Sequence, residues 1–326
     1  MTSPSPVLTS FDIPTNGKAT RLTDEATHDH LLDASCLTWV HLDFKHPHLR
    51  EWLTANAELL EPFVCDALMT HYTRPRCEPL GDGFLVILRG ANTNENKDPE
   101  DMVSLRLWVS PNYVISLSPQ PIRAIKDLET ALTQDTFIRS SGDVLTYLST
   151  RLFLILEPYI TKLTDLVDAA EEQLDIDVHA IDQNALGELR RDAIIFRRFI
   201  APQREIMTLL DHSNIHWLSG DNRQQLRESH DRLMRYVEEL ETVRERAQIV
   251  KDEVTSVLSE RLNLNLYKVS IVTVIFLPLA FLTGLLGINV EGIPFANHPD
   301  AFLMVCLGCL LMTLILIFTL KYRKWL

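Results

Sequence analysis

Residues Val269–Val290 read VSIVTVIFLPLAFLTGLLGINV, and Ala301–Leu320 read AFLMVCLGCLLMTLILIFTL. Neither stretch contains a charged side chain. Each is long enough, as a helix, to cross a hydrocarbon core of about 30 Å. Only the segment Glu291 to Asp300 separates them. That is too short for a domain, so the pair reads as a hairpin whose two ends emerge on one side. The loop carries Glu291 and Asp300 and no Lys or Arg, whereas the far flanks carry Arg261 and Lys268 on one span and Lys321, Arg323 and Lys324 on the other. The bias of basic residues toward the cytosolic side places those flanks, and with them both termini, in the cytoplasm. The start, MTSPSPVLTS, has no basic segment followed by an apolar run, so no cleaved signal is expected. The expectation is a multi-pass protein of the inner or plasma membrane.

Outward from the hairpin the composition changes. The chain has 326 residues and a net charge of −13. Residues 266–326 hold four basic and two acidic side chains, leaving 27 basic and 42 acidic over residues 1–265. A domain that acidic repels phosphate, which excludes nucleic acid as a partner. Five cysteines (Cys36, Cys65, Cys77, Cys306, Cys309) make no dense framework, and a reducing compartment is the simpler reading.

Residues 1–140 read as an α+β cytosolic domain. The first 35 are polar and turn-rich, a ragged start. Thr38–Asp43 alternates as a strand does, and Pro47–Leu60 and Pro62–Thr70 open on proline as helices do. Arg76–Leu80, Phe84–Arg89, Val103–Val109 and Tyr113–Ser118 are β-rich runs divided by Gly, Pro and Asn, predicting a mostly antiparallel sheet. Pro121–Gln134 returns to helix. No strand leads into a glycine-rich phosphate loop, so a nucleotide site has no support.

Residues 141–265 read as a helical stalk. Asp143–Leu174 has helical spacing, and Asn184–Asp211 is amphipathic with an interruption near Pro202. Gly220 breaks the chain and Asp221 is a candidate N-cap. Beyond it, Leu233, Leu240, Ala247 and Val254 recur every seven residues, and Tyr236, Val243, Val250, Val257 and Leu264 recur three places later. This is an a/d seam that requires partner helices, in a coiled coil or in a packed helical hairpin. With no Gly or Pro until Pro278, one helix from Asp221 to Gly287 is expected, on the order of 100 Å long. Residues 266–326 form the transmembrane hairpin, with spans near 267–289 and 301–320 and an outer loop at 290–300.

On the first span Asn263, Leu266, Ser270, Thr273, Leu277, Ala280, Gly284 and Gly287 follow at steps of three or four and share one face. That face holds most of the small and polar residues; the others carry Val, Ile, Leu and Phe. Such a stripe faces either another helix or water. Two helices cannot enclose a pore, so a water-lining role requires several copies, with the first span inside and the more uniformly apolar second span outside. The end of the span, Gly284-Leu285-Leu286-Gly287-Ile288-Asn289, is either a helix stop and turn or a pore mouth. As a mouth, Asn289 offers oxygens that suit a hydrated divalent cation, with Glu291 and Asp300 concentrating cations outside.

Pro278-Leu279, Gly284, the triplet Gly287-Ile288-Asn289, a short loop, a second span and the end Lys321-Tyr322-Arg323-Lys324-Trp325-Leu326 together resemble the CorA metal ion transporters. The family signature is Gly-Met-Asn. Here Ile288 replaces Met, and with Gly292-Ile293-Pro294 the variant is similar to the zinc-transporting ZntB branch. The likeness covers the whole chain in layout and is specific only over about residues 262–326. It implies a homopentameric funnel lined by the first spans, with Gly287, Ile288 and Asn289 as the selectivity entrance. It implies Asn263 and Leu266 near the cytosolic end of the pore, Val269 or Ser270 above them, and Leu277 and Ala280 further out. The Met-to-Ile change points away from magnesium.

Other motifs are plainer. Cys306 and Cys309 have redox spacing but lie inside an apolar span, where small-residue packing explains them. His212 and His216, four apart with Asp211 adjoining, have spacing that can hold zinc or cap a helix end. Glu238, Glu239, Glu241, Glu245 and Asp252, interleaved with Arg244, Arg246 and Lys251, read as a salt-bridged face or as an acidic funnel. No Ser/His/Asp order or paired-carboxylate motif argues for an enzyme, and no cofactor is implied. The expected activity is transport of a divalent cation through the axis of a homo-oligomer in lipid, with zinc preferred and proton-coupled uptake as one route. The rivals are a magnesium or cobalt channel of the same architecture, and a membrane-anchored signalling or scaffold protein.

Overall fold

The computed structural model describes residues 5–33, 36–56, 60–70, 74–134, 137–288, 299–323 and 325. The chain divides into two compact units, Met1–Lys251 and Asp252–Leu326.

The first unit is built on a seven-stranded sheet. Its strands are β1 (Val7–Ile13), β2 (Thr20–Arg21), β3 (Leu37–Asp43), β4 (Arg76–Leu80), β5 (Gly83–Gly90), β6 (Val103–Val109) and β7 (Tyr113–Ser118). The spatial order is β2-β1-β3-β7-β6-β5-β4. All neighbours are antiparallel except the central pair β3 and β7, which run parallel with Thr38 opposite Tyr113. The central strands are apolar on both faces because both faces are covered. On one face Val40, Leu42, Leu85, Ile115 and Leu117 pack with residues of α1 (Asp24–Leu32), α2 (Leu49–Ala55) and α3 (Pro62–Met69). On the other face Trp39, Phe84, Val86, Leu88, Leu105 and Leu107 pack with α4 (Arg123–Thr133), α5 (Ser141–Leu154), α6 (Glu157–Ile176), α7 (Gln183–His212) and the first part of α8 (Gly220–Leu286).

Residues 5–33 form two strands and a helix, contrary to the ragged start expected. β1 is hydrogen-bonded to β3, and Phe11 and Ile13 are buried in the core. The helical run expected over Asp143–Leu174 breaks at Ile155–Leu156, and α6 begins with Pro158 in its first turn, where the missing N–H costs nothing. Pro202 does not interrupt α7. Ile200, Ile206, Met207 and Leu210 are buried around it, and burying such side chains offsets a proline penalty of about 3 kcal/mol. α8 is capped by Ser219 rather than Asp221. The Asn222 N–H donates to Ser219 Oγ and the Ser219 N–H to Asn222 Oδ1, both at 3.1 Å, a reciprocal cap. Asn222 Nδ2 also donates to Asp143 Oδ1 at 2.7 Å, which ties the start of α8 to that of α5.

The first heptads of the seam pack within the chain, whereas Val257 is half-buried and Leu264 is exposed. Leu233, Tyr236, Leu240, Val243 and Ala247 share one core with Ile160, Leu163, Val167, Leu189, Ala193, Phe196 and Ile200. Polar contacts flank it. Arg246 Nε donates to Glu171 Oε1 at 2.8 Å and holds the Glu171 carboxyl below the usual range. Glu241 pairs with Arg197 at 3.6 Å and with Arg244 at 3.5 Å. Salt bridges thus engage Glu241, Glu245, Arg244 and Arg246 of the charged run.

A polar network sits at the centre of the sheet. Ser116 Oγ accepts from Trp39 Nε1 at 3.0 Å and donates to the Val40 carbonyl at 3.1 Å. Its remaining lone pair accepts from His41 Nδ1 at 2.9 Å, which assigns the Nδ1–H tautomer. Burial pushes the His41 imidazole down to about 4, so the ring is neutral at pH 7.

Candidate functional site

In the second unit, α8 runs on to Leu286 and α9 spans Ala301–Tyr322. Both are long and apolar enough to cross a membrane. α8 is continuous from Gly220, as the absence of Gly and Pro before Pro278 led one to expect, and Pro278 lies inside it.

The faces of the two helices differ in exposure. Along the span of α8 the partly covered residues are Ile271, Ile275, Pro278, Leu279 and Leu282, which cluster on one side of the helix. On α9 they are Ala301, Val305, Cys309, Met312, Thr313 and Leu316, with Leu320 fully buried. Each set lies on one side of its helix, so these are the sides through which the pair packs. The Tyr267 hydroxyl donates to the Trp325 carbonyl and ties the end of the chain to α8.

Asn263, Leu266, Val269, Ser270, Thr273, Leu277, Ala280 and Gly284 are all exposed. At about 100° per residue, their shared face lies roughly opposite the side covered by α9. The small and polar stripe is thus the side of α8 that the chain leaves open, and nothing lies within 4 Å of a Cβ built on Gly284.

The hydroxyls on the stripe have a fixed polarity. Ser270 Oγ donates to the Leu266 carbonyl at 2.9 Å, and Thr273 Oγ1 donates to the Val269 carbonyl at 2.9 Å. With its only proton engaged by the backbone, each oxygen faces outward as an acceptor. Water bound to a cation points its hydrogens outward and seeks such acceptors. Thr283 makes the same bond to the Leu279 carbonyl at 3.0 Å, but it lies about 95° round the helix from the centre of the stripe. Lys268 is the last ionisable residue before Ile288, so no charge sits on the span itself.

The C-terminal end of α8 is a stop. α8 ends at Leu286, and the Gly287 N–H donates to the carbonyls of Thr283 and Gly284 at 3.0 and 3.2 Å. Ile288 is exposed. Asn289 and Glu291 lie outside the described residues. Asp300 immediately precedes α9, and its carbonyl accepts the Met304 N–H at 3.0 Å.

His212 and His216 do not share a helix face, because α7 ends at His212. His212 Nδ1 donates to the Thr208 carbonyl at 2.9 Å and closes the helix end, the capping alternative. Asp211 is engaged by Arg227 at 2.9 Å. Among the described residues no group of three or more His, Cys, Asp and Glu side chains could hold a metal ion. Sequence reasoning missed the α9-covered side of α8 and the Tyr267–Trp325 bond. The first looks apolar like any lipid-facing side, and the second joins residues too far apart to be read together.

Residues 35–322 match the family described as CorA-like Mg2+ transporter protein. The chain is 40% identical over 271 residues to the divalent cation transporter CmaX of Pseudomonas aeruginosa, covering 82% of this chain and 81% of that one. It is 31% identical over 318 residues to the zinc transport protein ZntB of Yersinia enterocolitica, covering 97% and 95%. The structure of full-length CmaX superposes along both chains in full, with a TM-score of 0.86 at 34% identity. With a family match over most of its length and relatives this similar, the chain belongs to the CorA-like Mg2+ transporter family.

Proposed function

We propose that the protein conducts divalent metal cations, zinc preferred, across the inner or plasma membrane along the axis of a homopentamer. In this reading α8 faces the axis and α9 faces lipid. Residues 1–140 and the stalk 141–265 stand in the cytoplasm, as does the basic end of the chain. The supporting observation is that the stripe from Asn263 to Gly284 lies on the side of α8 opposite the one α9 covers. A helix that only anchored a domain as a monomer in lipid would have no reason to collect its polar residues on its open side.

The path works by hydration rather than by covalent chemistry. A divalent cation dehydrates at great cost, so it passes with its inner waters. Ser270 and Thr273 accept hydrogen bonds from those waters. Leu266, Val269 and Leu277 narrow the path without binding the ion, which keeps residence short. Gly287, Ile288 and Asn289 form the outer entrance, with Glu291 and Asp300 raising the local cation concentration. The zinc preference is supported by the relative named a zinc transport protein and by Ile288 in place of Met.

Flux into liposomes tests this, following zinc and magnesium with internal dyes, with and without an inward proton gradient. Zinc entry that is lost in Asn289→Ala supports the reading, and dependence on the gradient marks proton-coupled uptake. Magnesium entry without zinc entry refutes the ion assignment. No flux of either ion from a folded oligomer refutes transport.

A further inference from the structure

We propose that Arg261 and Lys268 of α8, together with Lys321 and Arg323 at the end of α9, bind the phosphate headgroup of an anionic phospholipid. Arg261 and Lys268 are seven residues apart, two turns along one face and about 10 Å from each other. That face lies about 145° from the centre of the small and polar stripe and on the side of α8 that α9 covers. The cations are therefore kept off the stripe and turned toward α9 and the lipid around it.

The end of the chain is folded back to join them. The Trp325 N–H donates to the Leu320 carbonyl at 2.9 Å, and the Tyr267 hydroxyl donates to the Trp325 carbonyl. These two bonds hold Arg323 at the level of Tyr267 and Lys268 instead of letting it trail away. Lys321 follows the last apolar residue of the span, Leu320, which is buried. Glu260 adjoins Arg261, and no Asp or Glu occurs from Leu262 to Lys268 or from Ala301 to Leu326, so the two segments carry an excess of basic side chains. Tyr322, 82% exposed, and Trp325, 51% exposed, flank it. Amphipathic rings beside cations at the end of an apolar span are the composition of a headgroup layer. Its charge complement is a lipid phosphate of the anionic leaflet, with Lys and Arg reaching it along their apolar stems.

The inference rests on the two spans crossing a bilayer and is independent of the ion carried. The test uses the full chain, purified in a neutral detergent and titrated with fluorescent phosphatidylglycerol or phosphatidylcholine carrying the same label. Phosphatidylglycerol is expected to bind at least tenfold more tightly. Lys268→Gln/Arg323→Gln is expected to bring the two lipids within twofold, and Lys268→Arg/Arg323→Lys to preserve the preference. Thermal melting and oligomer size confirm that each variant is folded, and single Lys268→Gln serves if the double variant is not. Equal binding of both lipids, or a preference unchanged in the glutamine variants, overturns the proposal. Displacement by millimolar inorganic phosphate also overturns it, because the site would then take a free anion. Lipid preference without flux would refute the transport reading alone, and flux without lipid preference would refute this one alone.

Discussion

Thr273 and Thr283 are the same residue making the same bond on different sides of one helix. Thr273 Oγ1 donates to the Val269 carbonyl at 2.9 Å, and Thr283 Oγ1 to the Leu279 carbonyl at 3.0 Å. Replacing either with Val removes a hydroxyl, keeps the shape and frees one carbonyl to its ordinary helical bond. Any cost to the helix is therefore matched. The cost to conduction is not. On the stripe, the lost oxygen is an acceptor for water bound to a cation, a charge-assisted hydrogen bond worth about 1.5–3 kcal/mol. Losing about 1.5 kcal/mol at the barrier slows passage roughly tenfold. Ser270→Ala has the same logic, and Ser270→Ala/Thr273→Val is expected to lower initial zinc flux into liposomes by about 100-fold, less if the two oxygens share one water. Thr283→Val is expected to stay within about twofold of the parent, a change of under about 0.5 kcal/mol. Equal damage from Thr273→Val and Thr283→Val would refute the assignment of the stripe to the conduction path. So would parental flux in the Ser270/Thr273 double variant.

The cytosolic unit makes two predictions of its own. His41 titrates near 4 when folded and near 6.5 when unfolded, so the unfolded chain binds the extra proton between those values. Its stabilising contribution is complete above pH 6.5 and is lost as pH falls toward 4. The loss at pH 5 relative to pH 8 is about 2 kcal/mol. Denaturant unfolding at the two pH values is expected to show that difference, and His41→Asn to remove it; an unchanged slope in the variant would assign it elsewhere. Gly142 permits the close approach that joins α5 to α8. A Cβ there would run into Asn222 Oδ1, and that side chain is already committed to the Ser219 N–H and to Asp143. Gly142→Ala is therefore expected to cost about 1–3 kcal/mol in the same measurement. Cost within error of zero would mean that the cap can shift without losing its bonds.

How much of this was legible in the sequence varies by element. β4, β6 and β7 were readable at their bounds, and β5 to within one residue at each end, because alternating or continuous apolar runs are cut by Gly, Pro and Asn. β1 was not. Only Phe11 and Ile13 mark its inner side, and prolines at 4, 6 and 14 surround it with turn signals. Its place is fixed by pairing with β3, which no local reading supplies. The break near Pro202 was propensity overruled by packing, since the helix buries residues on either side of the proline. The heptads were seen as a seam, but periodicity cannot say whose helices fill it; from Leu233 to Ala247 α6 and α7 of the same chain do, and at Leu264 the chain leaves it exposed. The stripe on α8 was legible from helical spacing alone. Which side of α8 meets α9 was not, because α9 is apolar all round and offers no face to match.

The most direct test of the central claim is the water access of the stripe. Single cysteines at Thr273 and Ala280, and at Ile275 and Leu282, are introduced into a background in which Cys36, Cys65, Cys77, Cys306 and Cys309 are all replaced by Ser. Each protein is reconstituted in liposomes and its rate of reaction with a small cationic thiol reagent is measured. The account predicts fast modification at 273 and 280, slowed by excess zinc, and slow modification at 275 and 282. Slow modification at all four positions, or fast modification at 275 and 282 only, would contradict it.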